Sequence, residues 1–309
     1  MTEFPAEGLC RPADAMSLYA LEAAAATGQL LQSTALAFDN ERRLRFELAG
    51  MPGLMPFEEC ADGAAEGLVR DVAVLVRVGR PTCFVVEGLR RDGQDRPYLA
   101  LSRARAQRRC REEYLDRLEP GQVIPCTVTH LEPFGAFCDV GCGISALLPI
   151  DCLSVSRIGS PADRVRVGQQ LLCAVKNRDE QGRLVLTLRE LMGTWQENAD
   201  CFHPGETVVG IVRSVEDYGV FIEIAPNLAG LAEHCEGLQP GQAVSVYIKS
   251  ILPDKMKIKL VVVNRNLRSD IRFEPRYFVR EGIIRRWVYS TPGSRKQVET
   301  VFRQPAAAL

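Results

Sequence analysis

L-E-P-F-G-A-F-C-D-V, residues Leu131 to Val140, shows how the chain is organised, because a near copy follows later in the sequence. The copy is V-E-D-Y-G-V-F-I-E-I, Val215 to Ile224. Side chains alternate between the two faces of a β-strand, so each stretch has an apolar inward face. The inward residues are Ala136, Cys138 and Val140 in the first stretch and Val220, Ile222 and Ile224 in the second. Both stretches are therefore predicted to be equivalent strands of two repeats.

The opposite face of these strands combines aromatic rings with a carboxylate. The rings are Phe134 and Phe137 in the first stretch and Tyr218 and Phe221 in the second, and a glycine follows Phe134 and Tyr218. Asp139 and Glu223 are predicted to share this exposed face. Exposed rings on a strand with an apolar inner face are typical of a platform on which flat groups stack.

Three repeats follow from the glycines that open similar segments, T-G-Q-L-L, P-G-Q-V-I and P-G-E-T-V, at Gly28, Gly121 and Gly205. A second glycine in each repeat precedes another apolar stretch, predicted to be a strand; the first of these is Leu68–Val76. About five short strands per repeat, without a crossover helix, predict small Greek-key barrels. The second repeat is 11 residues longer than the third between these glycines, around Ser154–Val165, where we expect a loop or one helical turn.

The segments between the repeats have patterns of their own. Residues 12–27 are predicted to be a helix that starts near Pro12 and stops at Gly28, and Arg103–Leu118 is an arginine-rich spacer helix. The arginines of the spacer, Arg103 included, either meet phosphate or form a solvated face. Residues 282–302 predict a hairpin, interpreted either as a nucleic-acid or ribosome contact or as a seal on the third barrel.

Composition bounds the function classes. The 309 residues have a formal net charge of -1, but residues 249–309 carry 14 Lys or Arg and 5 Asp or Glu, against 24 and 34 in residues 1–248. We expect no membrane span and no secretion signal, hence a cytoplasmic protein. The 11 cysteines form no C-x-x-C pair, and Cys138 and Cys142 are interpreted as core thiols rather than metal ligands. No catalytic motif is present, so no enzyme, cofactor, metal or small-molecule substrate is expected.

An opening glycine, an aromatic-Gly-x-Phe strand, a Gly-Leu strand and a closing Gly-Arg-x-x-Leu-x-Leu resemble the S-one RNA-binding domain, the repeat of the ribosomal protein S-one family. The chain as a whole resembles the short homologues of Firmicutes-type bacteria. The resemblance implies an all-β fold of tandem five-stranded OB-fold barrels, with an N-terminal helix, a linker helix and a basic C-terminal hairpin extension. The implied domains are residues 1–27, helix; 28–102, degenerate barrel; 103–119, linker helix; 120–192, RNA-binding barrel; 193–203, linker; 204–264, RNA-binding barrel; 265–309, extension.

The same resemblance implies an RNA-binding face made of two aromatics, a histidine, an acid and a base. The matching residues are Phe134, Phe137, Asp179 and Arg183 in the second repeat and Tyr218, Phe221, His234 and Lys257 in the third, with Lys259 beside them. Pro149 and Glu233 stand at the histidine position itself, and Asp254 matches the acid only loosely. In the first repeat Ala37-Phe38-Asp39-Asn40 replaces the aromatic-Gly motif, which favours a role in packing or protein contact.

The closing strands support this interpretation from their alternation alone. Leu184, Leu186 and Leu188 point inward in the second repeat, which predicts that Arg183, Val185, Thr187 and Arg189 lie on the outer surface. In the third repeat Ile258 and Leu260 point inward and Lys257 and Lys259 outward. Basic side chains on an outer strand follow phosphates while rings stack bases.

The expected function is binding of single-stranded RNA, in particular messenger RNA, in support of translation on the small ribosomal subunit. A regulatory or stress protein that binds the ribosome through protein contacts is one alternative. An RNA-targeting accessory of a nuclease is another.

Overall fold

The computed structural model describes residues 3–265, 267, 271–295 and 297–303. The chain is mostly β and contains two closed five-stranded barrels, so the predicted fold class is confirmed. It divides into two compact units: residues 1–118 with 139–145, and residues 119–138 with 146–309.

The described residues of the first unit form seven strands and three helices. The strands are β1 (Arg11–Pro12), β2 (Leu31–Thr34), β3 (Ala37–Phe38), β4 (Arg43–Leu48), β5 (Met51–Pro56), β6 (Pro81–Arg91) and β7 (Pro97–Ser102). The helices are α1 (Leu18–Thr27), α2 (Asp71–Leu75) and α3 (Arg103–Glu113), with 3-10 turns at Phe57–Glu59 and Leu115–Arg117.

The second unit holds the two barrels and the C-terminal hairpin. Its strands are β8 (Val123–Glu132), β9 (Gly135–Asp139), β10 (Ser145–Pro149), β11 (Gln170–Arg178), β12 (Leu184–Thr187), β13 (Thr207–Glu216), β14 (Gly219–Ala225), β15 (Leu228–Ala232), β16 (Ala243–Leu252), β17 (Lys257–Asn264), β18 (Arg286–Val288) and β19 (Glu299–Val301). Its helices are α4 (Ile150–Leu153) and α5 (Trp195–Ala199), with 3-10 turns at Pro161–Asp163, Arg189–Met192 and Pro253–Lys255.

The first unit has the strand order of a barrel but an interrupted first strand. Its sheet runs β1-β2-β6-β7-β5-β4-β3. β2 pairs with β6, and after a break at Ala35 and Leu36 the chain continues as β3, which pairs with β4. In the third repeat the unbroken strand β13 makes both pairings, with β16 and with β14. The first repeat therefore keeps the barrel order while its first strand is divided in two.

The N-terminal helix is shorter than the sequence predicts. α1 begins at Leu18, where the Ser17 hydroxyl accepts the Ala20 N–H at 3.3 Å. Pro12 lies in β1, which pairs in parallel with β2, so this backbone is extended and not helical. The predicted end at Gly28 is confirmed, because this glycine adopts the left-handed conformation with φ 64°.

The predicted strand at Leu68–Val76 is wrong. Asp71–Leu75 forms helix α2, and the fourth barrel strand of this repeat is β6 instead. The run V-A-V-L-V is apolar at consecutive positions, so its period does not separate a strand from a helix. Only Val74 of this run is buried, and its neighbours leave an exposed apolar surface.

Arg103, at the start of α3, is buried and not part of a solvated or phosphate-facing surface. Its Nε donates to the Glu7 carboxylate at 2.7 Å, and Nη1 donates to the Cys60 carbonyl at 3.1 Å. Arg77 also pairs with Glu7. Burial acts to raise the pKa of Glu7, but Arg103 and Arg77 outweigh it and hold the pKa below its usual value.

The second and third repeats close in the same way. The strand orders are β10-β12-β11-β8-β9 and β13-β14-β15-β17-β16, and in each barrel the third and fifth strands pair in parallel. The residues predicted to point inward are all buried: Ala136 and Cys138 on β9, Val140 directly after it, and Val220, Ile222 and Ile224 on β14. Cys142 is buried as well, so the interpretation of Cys138 and Cys142 as core residues is confirmed. The strand-to-face assignment made from the sequence therefore holds for both barrels.

The C-terminal hairpin packs against both barrels. The predicted hairpin is confirmed by the antiparallel pairing of β18 with β19. Trp287 and Tyr289 lie in the core of the third barrel, whereas Phe302 packs with Ala174 and Leu191 of the second repeat. The Ile284 N–H donates to the Gly121 carbonyl at 2.9 Å. Packing of the hairpin against the third barrel is therefore observed, while contact with nucleic acid or the ribosome stays a proposal.

Candidate nucleic-acid interface

Two aromatic pairs occupy equivalent places on the two closed barrels. Phe134 precedes β9 and is 54% exposed, and its ring centroid lies 6.1 Å from that of Phe137 at an interplanar angle of 90°. Tyr218 precedes β14 and is 70% exposed, and it lies 6.2 Å from Phe221 at 86°. Phe137 and Phe221 are half-buried. Each barrel thus presents one exposed ring standing edge-on to a second ring on the strand.

The glycine inside each aromatic pair allows the next strand to approach. A Cβ atom at Gly135 would lie 2.6 Å from the Leu148 carbonyl oxygen, and one at Gly219 would lie 2.5 Å from that of Ala232. Both oxygens belong to backbone, which cannot move aside as a flexible side chain can. The aromatic-Gly sequence is therefore a requirement of the barrel as well as of the surface.

His130 distinguishes the second barrel from the third. Its ring stacks on Phe137 with centroids 6.4 Å apart and planes inclined by 23°, and its Nε2 lies 2.8 Å from the Glu132 carboxylate. Ser214 holds the equivalent position in the third repeat and pairs with Phe221. His130 was not among the residues predicted for the site; its position four residues before Phe134 in a strand was the available signal.

Asp179 and Arg183 lie together at the turn between β11 and β12. Asp179 accepts the backbone N–H groups of Gln181 and Arg183 and the Arg183 Nε, the last at 2.7 Å. Desolvation acts to raise the pKa of Asp179, but the hydrogen bonds from Arg183 outweigh it and lower that pKa. Among the described residues, no hydrogen bond or ring contact joins this pair to Phe134 or Phe137. The turn keeps an exposed guanidinium, since the Arg183 side chain is 65% exposed.

The strand register brings Lys259 onto the face of Phe221. Phe221 pairs with Leu231 on β15, and Leu231 pairs with Lys259 on β17. Directly paired residues point to the same side of a sheet, and neighbouring strands lie about 4.8 Å apart. Lys257 and Lys259 are exposed while Ile258 and Leu260 are buried, which confirms their predicted orientation.

His234 lies at the end of the third barrel that carries Tyr218. Its Nδ1 is 3.1 Å from the carbonyl oxygen of Glu216, which pairs with Gly219 across the turn. The structure thus brings Tyr218 and His234 to the same end of the barrel, next to the strand of Phe221.

Asp139 and Glu223 are buried, which corrects their predicted exposure. Asp139 accepts the Glu7 N–H at 2.8 Å and the Gly141 N–H at 2.8 Å. Burial, reinforced by the nearby Glu7 charge, raises the pKa of Asp139 to about 6. Thr187 is also buried instead of exposed, because its hydroxyl donates to the Glu190 carboxylate.

Glu223 is the centre of a buried charge cluster, the Arg164–Glu223 cluster, between the second and third barrels. Arg164, from the loop of the second barrel, pairs with Glu223, and both side chains are fully buried. Arg213 donates its Nε to the same carboxylate at 2.8 Å and lies 3.7 Å from Asp163. Two arginines and two acids balance the cluster, so the outer face of β14 joins the barrels instead of meeting solvent at Glu223.

The described residues contain no group of three or more His, Cys, Asp or Glu side chains arranged to hold a metal ion. No helix in the described ranges is long and apolar enough to cross a membrane.

Comparisons with known proteins agree with the geometry. Residues 117–189 match the family model of the S1 RNA binding domain, and the predicted resemblance to the S-one family is confirmed. The chain is 32% identical over 163 residues to the small ribosomal subunit protein bS1 homolog of Bacillus subtilis, covering 48% of this chain and 42% of that protein. It is 34% identical over 170 residues to small ribosomal subunit protein bS1 of Staphylococcus haemolyticus, covering 51% and 43%.

A solved multidomain protein with nucleic acid binding domains from Streptococcus pneumoniae covers 78% of this chain and 75% of its own, with 15% identity and a TM-score of 0.26. The chain spans less than half the length of the curated relatives that it matches.

Proposed function

We propose that this protein binds single-stranded RNA through the second and third barrels, residues 120–192 and 204–264. The observation that carries the proposal is the repeated pair of rings, Phe134 with Phe137 and Tyr218 with Phe221, at right angles in both barrels. Rings presented in this way stack on unpaired bases, which a duplex does not offer. The match to the S1 RNA binding domain supports RNA as the ligand.

The basic side chains complement the rings by offering contacts to phosphate. Lys259 shares a rung of the sheet with Phe221, and Lys257 is exposed on the same strand. Arg183 and Asp179 form the turn of the second barrel, where the guanidinium stays exposed. Because neither rings nor exposed cations read base edges, we propose binding with modest sequence preference.

The test replaces one half-buried ring in each barrel and one exposed ring outside them. We expect Phe137→Ala and Phe221→Ala each to weaken binding of an unstructured RNA by about 5- to 150-fold, equal to about 1 to 3 kcal/mol per stack. Tyr19, which is 82% exposed on α1, is the matched control, and Tyr19→Ala should leave affinity unchanged. Fluorescence anisotropy with single-stranded and duplex RNA measures both; full affinity in both barrel variants contradicts the proposal.

We further propose that the RNA is messenger RNA and that the protein acts on the small ribosomal subunit, in the cytoplasm. The curated relatives named as small ribosomal subunit proteins support this placement, and they also support a binding role over an enzymatic one. Co-sedimentation with ribosomal subunits tests it. Association that depends on Phe137 and Phe221 agrees with the proposal, and absence of the protein from the subunit fractions contradicts it.

A second candidate role for the first unit, protein contact, is supported by an exposed apolar surface around α2. Leu68 is 80% exposed and Val72 is 60% exposed, with Leu75 and Val76 beside them. Contiguous exposed apolar side chains are typical of interaction surfaces. If this surface binds a ribosomal protein, Val72→Asp should reduce co-sedimentation after nuclease treatment while leaving RNA affinity intact.

A further inference from the structure

A pocket of about 290 Å³ opens beside the rings of the third barrel, and its walls come from two repeats. Tyr218, Phe221 and Ser214 belong to the third barrel. Ser156 and Arg157 belong to the Ser154–Val165 loop of the second repeat, the segment that makes this repeat longer than the third. The ring surface of one barrel is thus completed by a side chain from the barrel before it.

The residue next to the strand ring differs between the two barrels. In the second barrel His130 stacks on Phe137, with ring centroids 6.4 Å apart and planes inclined by 23°. Ser214 takes the equivalent place opposite Phe221, and a hydroxymethyl group cannot cover an aromatic face. Phe221 therefore has a serine where Phe137 has a stacked ring, and both Phe221 and Ser214 line the pocket.

The loop that carries Arg157 is fixed at both ends before any ligand arrives. At its start, Asn227 Oδ1 accepts the Val155 N–H at 2.8 Å, and the Ser154 hydroxyl accepts the Ser156 N–H at 3.1 Å. At its end, Arg164 is held in the Arg164–Glu223 cluster. A preorganised loop loses little conformational freedom on binding.

Arg157 supplies a positive charge to the pocket lining, which also includes Glu216. The two arginines of the Arg164–Glu223 cluster, Arg164 and Arg213, form ion pairs with Glu223 and Asp163 that neutralise their charges. Arg157 is exposed, and within the described part of the chain no carboxylate lies within 4.0 Å of its guanidinium. A guanidinium without an acidic partner, beside an open ring, matches the two halves of a nucleotide: phosphate and base.

We propose that this pocket holds one nucleotide of a single-stranded RNA, with its base on Phe221 and its phosphate on Arg157. The inference rests on the proposed RNA-binding function and deepens it. The third barrel takes its phosphate contact in the pocket from the second repeat, so the two barrels form one composite site.

The test compares two exposed arginines, Arg157 in the Ser154–Val165 loop and Arg166 immediately after it. Arg157→Ala should weaken binding of an unstructured RNA by about tenfold and make the log-log salt slope shallower by about 0.7. Arg166→Ala removes the same charge from a side chain that is paired with Glu274 at 2.8 Å, and it should change affinity by less than about twofold. Arg157→Lys keeps the charge and should restore the salt slope. Equal losses of RNA affinity in Arg157→Ala and Arg166→Ala overturn the proposal, because the effect is then a non-specific electrostatic attraction between the protein and RNA.

Double variants show whether Arg157 and Phe221 hold the same nucleotide. Arg157→Ala combined with Phe221→Ala should lose less than the product of the two single losses, whereas Arg157→Ala with Phe137→Ala should lose the full product. Independent losses in both combinations overturn the composite site. If Phe221→Ala weakens binding and Arg157→Ala does not, the pocket inference fails and the proposed function stands. If neither ring variant changes affinity, the proposed function itself fails.

Discussion

Asp139 and Glu223 lie 84 residues apart at the same position of two consecutive repeats, each two residues after the strand aromatic, and both carboxylates are buried. Asp139 is satisfied by backbone N–H groups, including that of Glu7, whereas Glu223 is satisfied by the arginines of the Arg164–Glu223 cluster. The buried carboxylate at this position is therefore stabilised by backbone N–H groups in one repeat and by arginines in the next, and the two arrangements have different consequences for stability.

Glu223→Gln should destabilise the second unit by about 3 to 5 kcal/mol, because it leaves Arg164 and Arg213 buried with too little negative charge. Urea unfolding measures the change. The control is Glu299→Gln, which breaks an exposed pair with Arg286 at 2.8 Å and should cost less than about 1 kcal/mol. Equal costs for the two variants would show that the cluster contributes no more than a surface pair.

Asp139 should make the first unit more stable as the pH falls from 7 to 5. Burial raises its pKa in the folded state to about 6, so the folded protein binds this proton more tightly than the unfolded chain. The cost of burying the charge is therefore relieved as pH falls through 6, by about 1 kcal/mol between pH 7 and pH 5. Glu7 has a lowered pKa, and its contribution is lost only at lower pH, as the pH falls through that folded-state value.

Unfolding of the wild type and of Asp139→Asn at pH 7, 6 and 5 isolates this contribution. The difference in unfolding free energy between the two proteins should change in favour of the wild type as pH decreases. A difference that stays constant over this range contradicts the raised pKa.

Gly135→Ala and Gly219→Ala should each destabilise their barrel by more than about 1 kcal/mol, since the new Cβ meets a backbone oxygen of the adjacent strand. Gly93→Ala is the control, because a Cβ there meets nothing within 4 Å and its φ is not in the left-handed region. Thermal unfolding compares the three variants. No loss of melting temperature in the barrel variants would mean that the strands can separate without cost.

RNA affinity should fall steeply with ionic strength, with a log-log slope of about -0.7 for each phosphate contact. Lys257→Ala and Lys259→Ala should each make this slope shallower by about 0.7. Lys249 is also exposed, but it lies in the register shift between Ile248 and Ser250 on β16, and the pairing Phe221–Leu231–Lys259 does not include it, so Lys249→Ala should leave the slope nearly unchanged. A slope of zero between low and physiological salt in the wild type contradicts the phosphate contacts.

The alternation of side chains was sufficient to predict the inward faces of β9 and β14, because strand period is a local property. It could not predict that Asp139 and Glu223 are buried, since Glu7 and Arg164, which cover them, are distant in sequence. The extra length at Ser154–Val165 was visible as an insertion, but its place beside Phe221 depends on how Asn227 and Glu223 hold it. Thr187 was misplaced for a local reason: its hydroxyl donates to Glu190, which lies in the 3-10 turn after β12, and strand alternation does not predict that turn.

The hairpin that ends at Phe302 affects RNA binding as well as the stability of the two barrels against which it packs. Because Trp287 lies in one barrel core and Phe302 against the other repeat, the spacing between the two ring pairs is set before RNA arrives. An RNA strand that is bound at one ring pair then meets the second ring pair at a high effective concentration, provided that the RNA is long enough to span the distance between them. RNA affinity should therefore depend on length: it should rise abruptly, and not gradually, once an oligonucleotide is long enough to reach both barrels.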